Sequence, residues 1–228
     1  MKVIITGSTG MVGKGVLLEC LDCPAVTKIV LVNRTPIGLA HEKITEVICA
    51  DWSDLSAAEK HLQDAQACYF CMGATAATLS QVQFHHVTYD LTLAFAKLFA
   101  QCSPQAVFCY ISGMGVNATA SSRLMWLRIK GETEKALLKL PVRAVYLFRP
   151  GYIQPMRGVR SKTALYRLFY GVSSPFYPLL KGVCAGCVTS TVQIGRAMIA
   201  VTQHGYTDSF LENRDINLAA GQLSSSAE

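Results

Sequence analysis

The sequence predicts an α/β protein built on a doubly wound parallel sheet, a single domain over residues 1–228 with its core in 1–151 and a substrate or lid segment in 152–228. Three observations carry this. Six short apolar runs alternate with segments of helical period between Lys2 and Phe148. The runs are continuous, as in strands covered on both faces, and do not alternate apolar with polar. Small and polar residues gather where the runs end, at Gly7, Arg34, Asp51, Gly73, Ser112 and Pro150, the edge at which open α/β sheets take ligands.

The first run, Lys2 to Thr6, passes through Gly7, Gly10 and Gly13 into a helix marked by Met11, Leu17, Leu18 and Leu21. A pyrophosphate reaches the free N–H groups of a helix start only if the backbone comes close, and side chains at Gly7 and Gly10 would obstruct it. Gly13 would let the helix pack on the strand. The spacing is G-x-x-G-x-x-G in place of the older G-x-G-x-x-G, so a tight turn without a ligand is the competing reading.

Lys28 to Val32 is the second strand, followed by Asn33, Arg34 and Thr35. An acid here would bind the adenosine ribose and repel a 2′-phosphate; this chain has none, and Arg34 suits a 2′-phosphate. The expected cofactor is therefore NADP(H), with an ordinary exposed arginine as the alternative. Ile44 to Cys49 is the third strand. Beyond it Asp51 either accepts from an adenine amino group, with Trp52 as apolar neighbour, or joins Ser53 in helix capping. Ser56 to Glu59 fits a capping box.

Ala67 to Met72 is the fourth strand, and Gly73 opens a small-residue turn beside the phosphate loop. A helix from about Ser80 to Gln101 carries His85 and His86, which project about 100° apart and suit a surface better than one metal. Ala106 to Ile111 is the fifth strand, ending at Ser112-Gly113-Met114-Gly115. A helix from Ser121 to Lys139 contains Trp126 and Lys130. Val142 to Phe148 is the sixth strand, closed by Arg149-Pro150-Gly151.

From Tyr152 the pattern changes. Arg157, Arg160, Lys162 and Arg167 form a basic patch, and the apolar stretch Leu168 to Leu180 is broken by Gly171, Pro175 and Pro178. So interrupted, it cannot span a bilayer; a lid over an apolar substrate, a homodimer face, a shallow membrane contact and plain packing stay open. Thr189 to His204 is a further helix, Asp208 to Leu211 a short strand and Leu223 to Glu228 a frayed tail.

Composition is 51% hydrophobic and 16% charged, with a net charge of +6. The basic residues are scattered with no run of five or six, which argues against nucleic acid and for weak attraction of phosphorylated ligands. No export signal is read at the start of the chain, so a reducing cytoplasm is the expected compartment. The nine cysteines lie mostly in apolar runs, where cysteine acts as a small hydrophobe, and a disulfide framework is not expected. Cys20/Cys23, Cys68/Cys71 and Cys184/Cys187 have C-x-x-C spacing, but the first closes a helix and the second sits in a strand, where residues three apart face opposite ways. No metal is expected.

With these residues in place the chain resembles the atypical, extended-like short-chain dehydrogenase/reductases. Thr6 to Gly13 (TGSTGMVG), Arg34, Ser112, Lys130 and Arg149-Pro150-Gly151 fit that pattern in order. The resemblance is nearest to the NAD(P)H-binding group of Tat-interacting-protein-like and nitrogen-metabolite-repressor-like proteins, often labelled nucleoside-diphosphate-sugar epimerases. It implies a Rossmann domain whose dinucleotide is held by Gly7, Thr9, Gly10, Met11, Val12, Gly13, Arg34, Asp51, Trp52, Gly73, Lys130, Pro150 and Gly151. It also implies hydride transfer to a carbonyl, with Ser112 orienting the oxygen and Lys130 holding the ribose. The family's Y-x-x-x-K is here Trp126 to Lys130, and indole cannot relay the proton. Either Tyr152, Tyr89 or, at reduced rate, a water takes that role on a small or apolar carbonyl, or the protein is a non-enzymatic NADPH-gated binding protein with a protein partner. Sugar-nucleotide epimerisation is the weaker third reading.

Overall fold

The computed structural model describes residues 1–116, 124–159 and 186–225. The strands are β1 (Lys2–Thr6), β2 (Lys28–Asn33), β3 (Ile44–Ile48), β4 (Ala67–Phe70), β5 (Val107–Ile111), β6 (Ala144–Arg149), β7 (Tyr152–Gln154), β8 (Val188–Ser190) and β9 (Phe210–Glu212). The helices are α1 (Met11–Asp22), α2 (Ser56–Leu62), α3 (Gln81–His85), α4 (Leu91–Cys102), α5 (Met125–Leu137), α6 (Thr191–His204) and α7 (Asn213–Ser225).

Seven strands pair in the order β3-β2-β1-β4-β5-β6-β9, while β7 and β8 form a separate parallel pair. Every pairing in the large sheet is parallel, with Ile4 of β1 between Val30 and Cys68. The chain winds outward from β1 through β3 and then returns to β4. That reversal opens a crevice at the carboxyl ends of β1 and β4.

Alternation along the strands feeds two apolar cores. Val3 and Ile5 pack with Leu17, Tyr69, Met198 and Leu211 on the side of α1 and α6. Ile4 packs on the other side with Phe70, Phe95, Phe99 and Phe108, joined by Leu62 of α2 and Leu137 of α5. Burial on both faces explains the unbroken apolar runs.

α1 and α6 meet through two glycines. A Cβ at Gly15 would lie 2.5 Å from Thr191 Cβ, and one at Gly195 would lie 2.8 Å from Glu19 Cγ. Glu19, buried in this contact, pairs with Arg196 at 3.0 Å and Arg157 at 2.9 Å. Arg157, expected in a basic patch, thus clamps the turn after β7 to α1. The other three residues of that patch lie outside the described residues, as does Leu168 to Leu180. Among the described residues no helix is long and apolar enough to cross a membrane.

Several expectations need correction. The capping box at Ser56 does not form: Leu55 precedes α2 without a side-chain cap, and Ser56 N–H donates to Asp54 Oδ1 at 3.0 Å. The capping box is at Ser80 and Gln83 instead. The expected single helix after Ser80 contains a π turn, His86–Asp90, between α3 and α4, and Thr133 Oγ1 of α5 donates to Thr88 O at 3.3 Å there. A helix, α7, for which no expectation was stated, follows β9 and runs to Ser225, into the expected frayed tail. The sixth strand starts at Ala144, and the helix bearing Trp126 is described from Met125. Cys20, Cys23, Cys68 and Cys71 are free, whereas Cys187 is disulfide-bonded and Cys184 lies outside the described residues.

Candidate functional site

The glycine loop takes its shape from contact with β4. Gly7 has φ +65°, and a Cβ there would lie 2.7 Å from the backbone of Cys71 and Met72. Gly13 is held by the loop itself, its would-be Cβ 2.3 Å from Gly7 O, so its role is closing the helix start and not packing on β1. Gly10 is different. Its φ is −86°, and a Cβ would meet only Gly7 O at 3.2 Å.

Gly10 caps α1 with no side chain, and the first turn holds no acid. The first helical bond runs from Lys14 N–H to Gly10 O at 2.9 Å. The N–H groups of Met11, Val12 and Gly13 therefore lie free at the helix start, where the helix dipole favours an anion.

A cleft of about 560 Å³ adjoins this loop, lined among others by Gly7, Thr9, Gly10, Arg34, Trp52 and Gly73. Arg34 is exposed on it and makes no ion pair among the described residues. Trp52 is buried against Phe95 and Phe70, with its indole N–H unpartnered. Asp51 is outside the lining and turns back on its own loop. Its Oδ1 accepts from Ser53 N–H at 2.8 Å and Ser53 Oγ at 2.7 Å, bonds that hold its carboxyl below the usual range.

A buried polar relay ties loop to sheet. Ser8 Oγ and the Asn33 carboxamide bond each other, and Asn33 Nδ2 donates to Glu46 Oε1 at 2.8 Å, which also accepts from Ile37 N–H. This relay fixes the turn bearing Arg34 against the glycine loop. Its contacts span 25 and 13 residues of sequence, so no local pattern announces them.

The second cluster stands at the end of β5. Ser112 is 5% exposed, and its Oγ has no hydrogen-bond partner. Lys130 Nζ, reaching from α5, donates to Ser112 O at 3.0 Å and Ile111 O at 3.4 Å. Burial pushes the Lys130 pKa down to about 8, against an opposing pull from Glu134. Trp126, one turn earlier on α5, lies 3.7 Å from the point where Gly113 would carry a Cβ. Structure thus brings Ser112, Lys130 and Trp126 together.

Pro150 and Gly151 stand beside this cluster. Met114 N–H donates to Pro150 O at 3.0 Å, and Gly151 N–H donates to Asn213 Oδ1 at 3.1 Å. Tyr152 OH donates to Gln154 Oε1 at 2.8 Å, and the Tyr89 ring lies 4.9 Å from that of His85.

Because the unfolded chain holds the Lys130 proton up to about pH 10.5 and the folded chain only to about 8, the folded state loses stability as pH falls through that window. Below about 8 no further loss comes from this group. In urea unfolding, wild type is expected to gain stability from pH 8 to 10 relative to Lys130→Met; parallel curves would contradict the depressed pKa.

The sheet order and the glycine loop at its reversal define a Rossmann-like α/β fold. Among curated proteins, fmp52 of Emericella nidulans is 28% identical over 205 residues, covering 87% of this chain and 85% of that protein. HTATIP2 of Rattus norvegicus is 28% identical over 154 residues, covering 67% and 62%. In fold, a short-chain dehydrogenase/reductase superfamily protein from Agrobacterium tumefaciens with bound NAD matches at a TM-score of 0.66 and 11% identity, over 96% of this chain and 81% of that one. No family model matches. The chain is thus similar to the fmp52 and HTATIP2 proteins, and the expected resemblance to Tat-interacting-protein-like proteins holds. One expectation falls. Relatives from E. nidulans, Scheffersomyces stipitis, Candida albicans and Saccharomyces cerevisiae are named mitochondrial proteins, which overturns the cytoplasmic assignment.

Proposed function

We propose that the chain binds a nicotinamide dinucleotide, NADP(H) by preference, and acts as an oxidoreductase on a small or apolar carbonyl or alcohol. The observation that carries this is the cleft at the β1/β4 reversal, bordered by an uncapped helix start and by Arg34. The residues fit the cofactor. The N–H groups of Met11, Val12 and Gly13 would take its diphosphate, with Gly7, Thr9 and Gly10 giving the approach. Gly73 and Trp52 would border the adenosine half, and Pro150 and Gly151 the nicotinamide half.

When bound, the dinucleotide supplies or accepts hydride at nicotinamide. Ser112 Oγ, buried without a partner, would bond the substrate oxygen, and a buried hydroxyl gains by acquiring one. Lys130 Nζ, held beside Ser112 at the end of β5, would face the reacting end of the dinucleotide. Asp51 stays in the proposal only as part of the loop that seats Trp52.

Trp126 supports a second reading, a binding protein that responds to the nucleotide without reducing anything. The test is titration of the purified protein with NADPH and NADH, followed by loss of nicotinamide absorbance against aldehydes, ketones and quinones. Binding with turnover supports the oxidoreductase, binding without turnover the second reading, and no binding overturns both.

Arg34→Ala is expected to weaken NADPH by ~1.5–3 kcal/mol, the worth of charge-assisted bonds to a phosphate, and to leave NADH nearly unchanged. Equal weakening of both would remove the 2′-phosphate assignment.

A further inference from the structure

Reduction of a carbonyl needs a proton for the oxygen as well as a hydride for the carbon. Trp126 stands where the resemblance places a tyrosine, and its indole N–H does not titrate in water. We propose that the Lys130 ammonium is itself the proton donor to the substrate oxygen, beside the Ser112 hydroxyl that orients it; this rests on the oxidoreductase reading.

The argument begins with a count of protons. An ammonium has three N–H donors. Two are directed at Ser112 O and Ile111 O, which fix the nitrogen at the end of β5. The third has no acceptor among the described residues. Ser112 Oγ is buried and equally unpartnered, so an unused N–H and an unused hydroxyl belong to one strand end. A substrate oxygen bonded to both would satisfy both.

Trp126 and Lys130 are four apart on α5 and share a face, and both meet the segment from Ile111 to Gly113. The indole therefore borders the same strand end as the ammonium, whose burial disfavours its charge. Among the described ionisable groups, Glu134 acts on it directly. Glu134, one turn along α5, favours the charged form but is bound by Arg149 of β6, which also pairs with Glu212 of β9. Tyr110 of β5 lies under the ammonium, 5.8 Å from ring centre to Nζ, and burial and Glu134 push its phenol up, away from use as the acid. Burial prevails at Lys130 and brings it down to about 8, a strength suited to proton donation near neutral pH.

The step balances. A bound reduced dinucleotide would supply the hydride for the new C–H bond, and the π pair of the carbonyl would become a lone pair on oxygen. That pair forms an O–H bond as one N–H bond of Lys130 breaks. The products are the alcohol, the oxidised dinucleotide and a neutral amine, which regains its proton from solvent.

Two measurements test this. Acetylation of Lys130 by acetic anhydride across pH, followed by peptide mass spectrometry on the cofactor-free chain, is expected to show a midpoint near 8. A midpoint near that of an ordinary lysine overturns the proposal and leaves the oxidoreductase reading standing. For turnover, NADPH with an aromatic aldehyde is the probe. Lys130→Arg keeps the cation but is too weak an acid, so kcat at saturating NADPH should fall ~100-fold, the usual scale of a lost general acid. In wild type kcat should fall as pH rises through about 8. Unchanged kcat in Lys130→Arg overturns the proposal alone; absence of NADPH binding or turnover in wild type overturns the oxidoreductase reading and the proposal with it.

Discussion

Gly7→Val is expected to destabilise the whole fold, whereas Gly10→Val should leave the fold nearly intact and abolish nucleotide binding. At Gly7 the backbone has φ +65°, where a β-branched residue is strained, and the added Cβ would lie 2.7 Å from the carbonyl group of Cys71 and the nitrogen of Met72. Those atoms are main chain at the end of β4 and cannot turn aside. The left-handed backbone costs about 1–2 kcal/mol and the forced repacking about 1–3, so a loss of ~2–5 kcal/mol is expected. Gly10 has an ordinary φ and open space beyond Gly7 O at 3.2 Å. Valine there costs only a poorer cap, about 1 kcal/mol, but covers the N–H groups of Met11 and Val12. Urea unfolding and NADPH titration of both variants separate the effects. Similar stability losses, or normal NADPH affinity in Gly10→Val, would contradict the phosphate-loop assignment.

What the sequence disclosed follows from the range of the physics involved. The glycine loop is legible because turn, close approach and helix start fall within Thr6 to Gly13. The parallel pairing of the strands is legible from alternation, since each intervening helix carries the chain back to the same end of the sheet. The relay Ser8–Asn33–Glu46 is not legible, because it joins three elements that no local pattern relates. α7 escaped for another reason. Its buried apolar residues among those described are Ile216, Ala219 and Ala220, which keep helical spacing but include two alanines, too small to give a strong apolar signal. Asp51 shows the limit of reading by position: it stands where an acid was sought, yet its Oδ1 accepts from Ser53. The compartment was read from a missing export signal, which carries no information about other destinations.

Arg149→Met should be among the most damaging single changes outside the glycine loop. Arg149 was read as part of an R-P-G turn closing the sixth strand, but it is the last residue of β6 and its partner is on α5. Glu134, 1% exposed, accepts from Arg149 Nε at 3.0 Å and takes a second bond from the same guanidinium. The arginine also stacks on Phe210 at 4.2 Å and lies 3.6 Å from Glu212, so it joins α5, β6 and β9. Removing it strands a buried carboxylate, at an expected cost of ~3–5 kcal/mol. The double variant Glu134→Leu/Arg149→Met removes both charges and should recover most of that loss, because the penalty belongs to the unpaired ion and not to the missing bond. Urea unfolding at pH 7 measures both; a double variant no better than the single would assign the loss to packing on Phe210. The single variant carries a further consequence for the site. With Arg149 gone, Glu134 faces Lys130 uncompensated and favours the ammonium, so the Lys130 midpoint should move upward from about 8. An arginine with no contact to the cleft would thereby set the acid strength of the group beside Ser112.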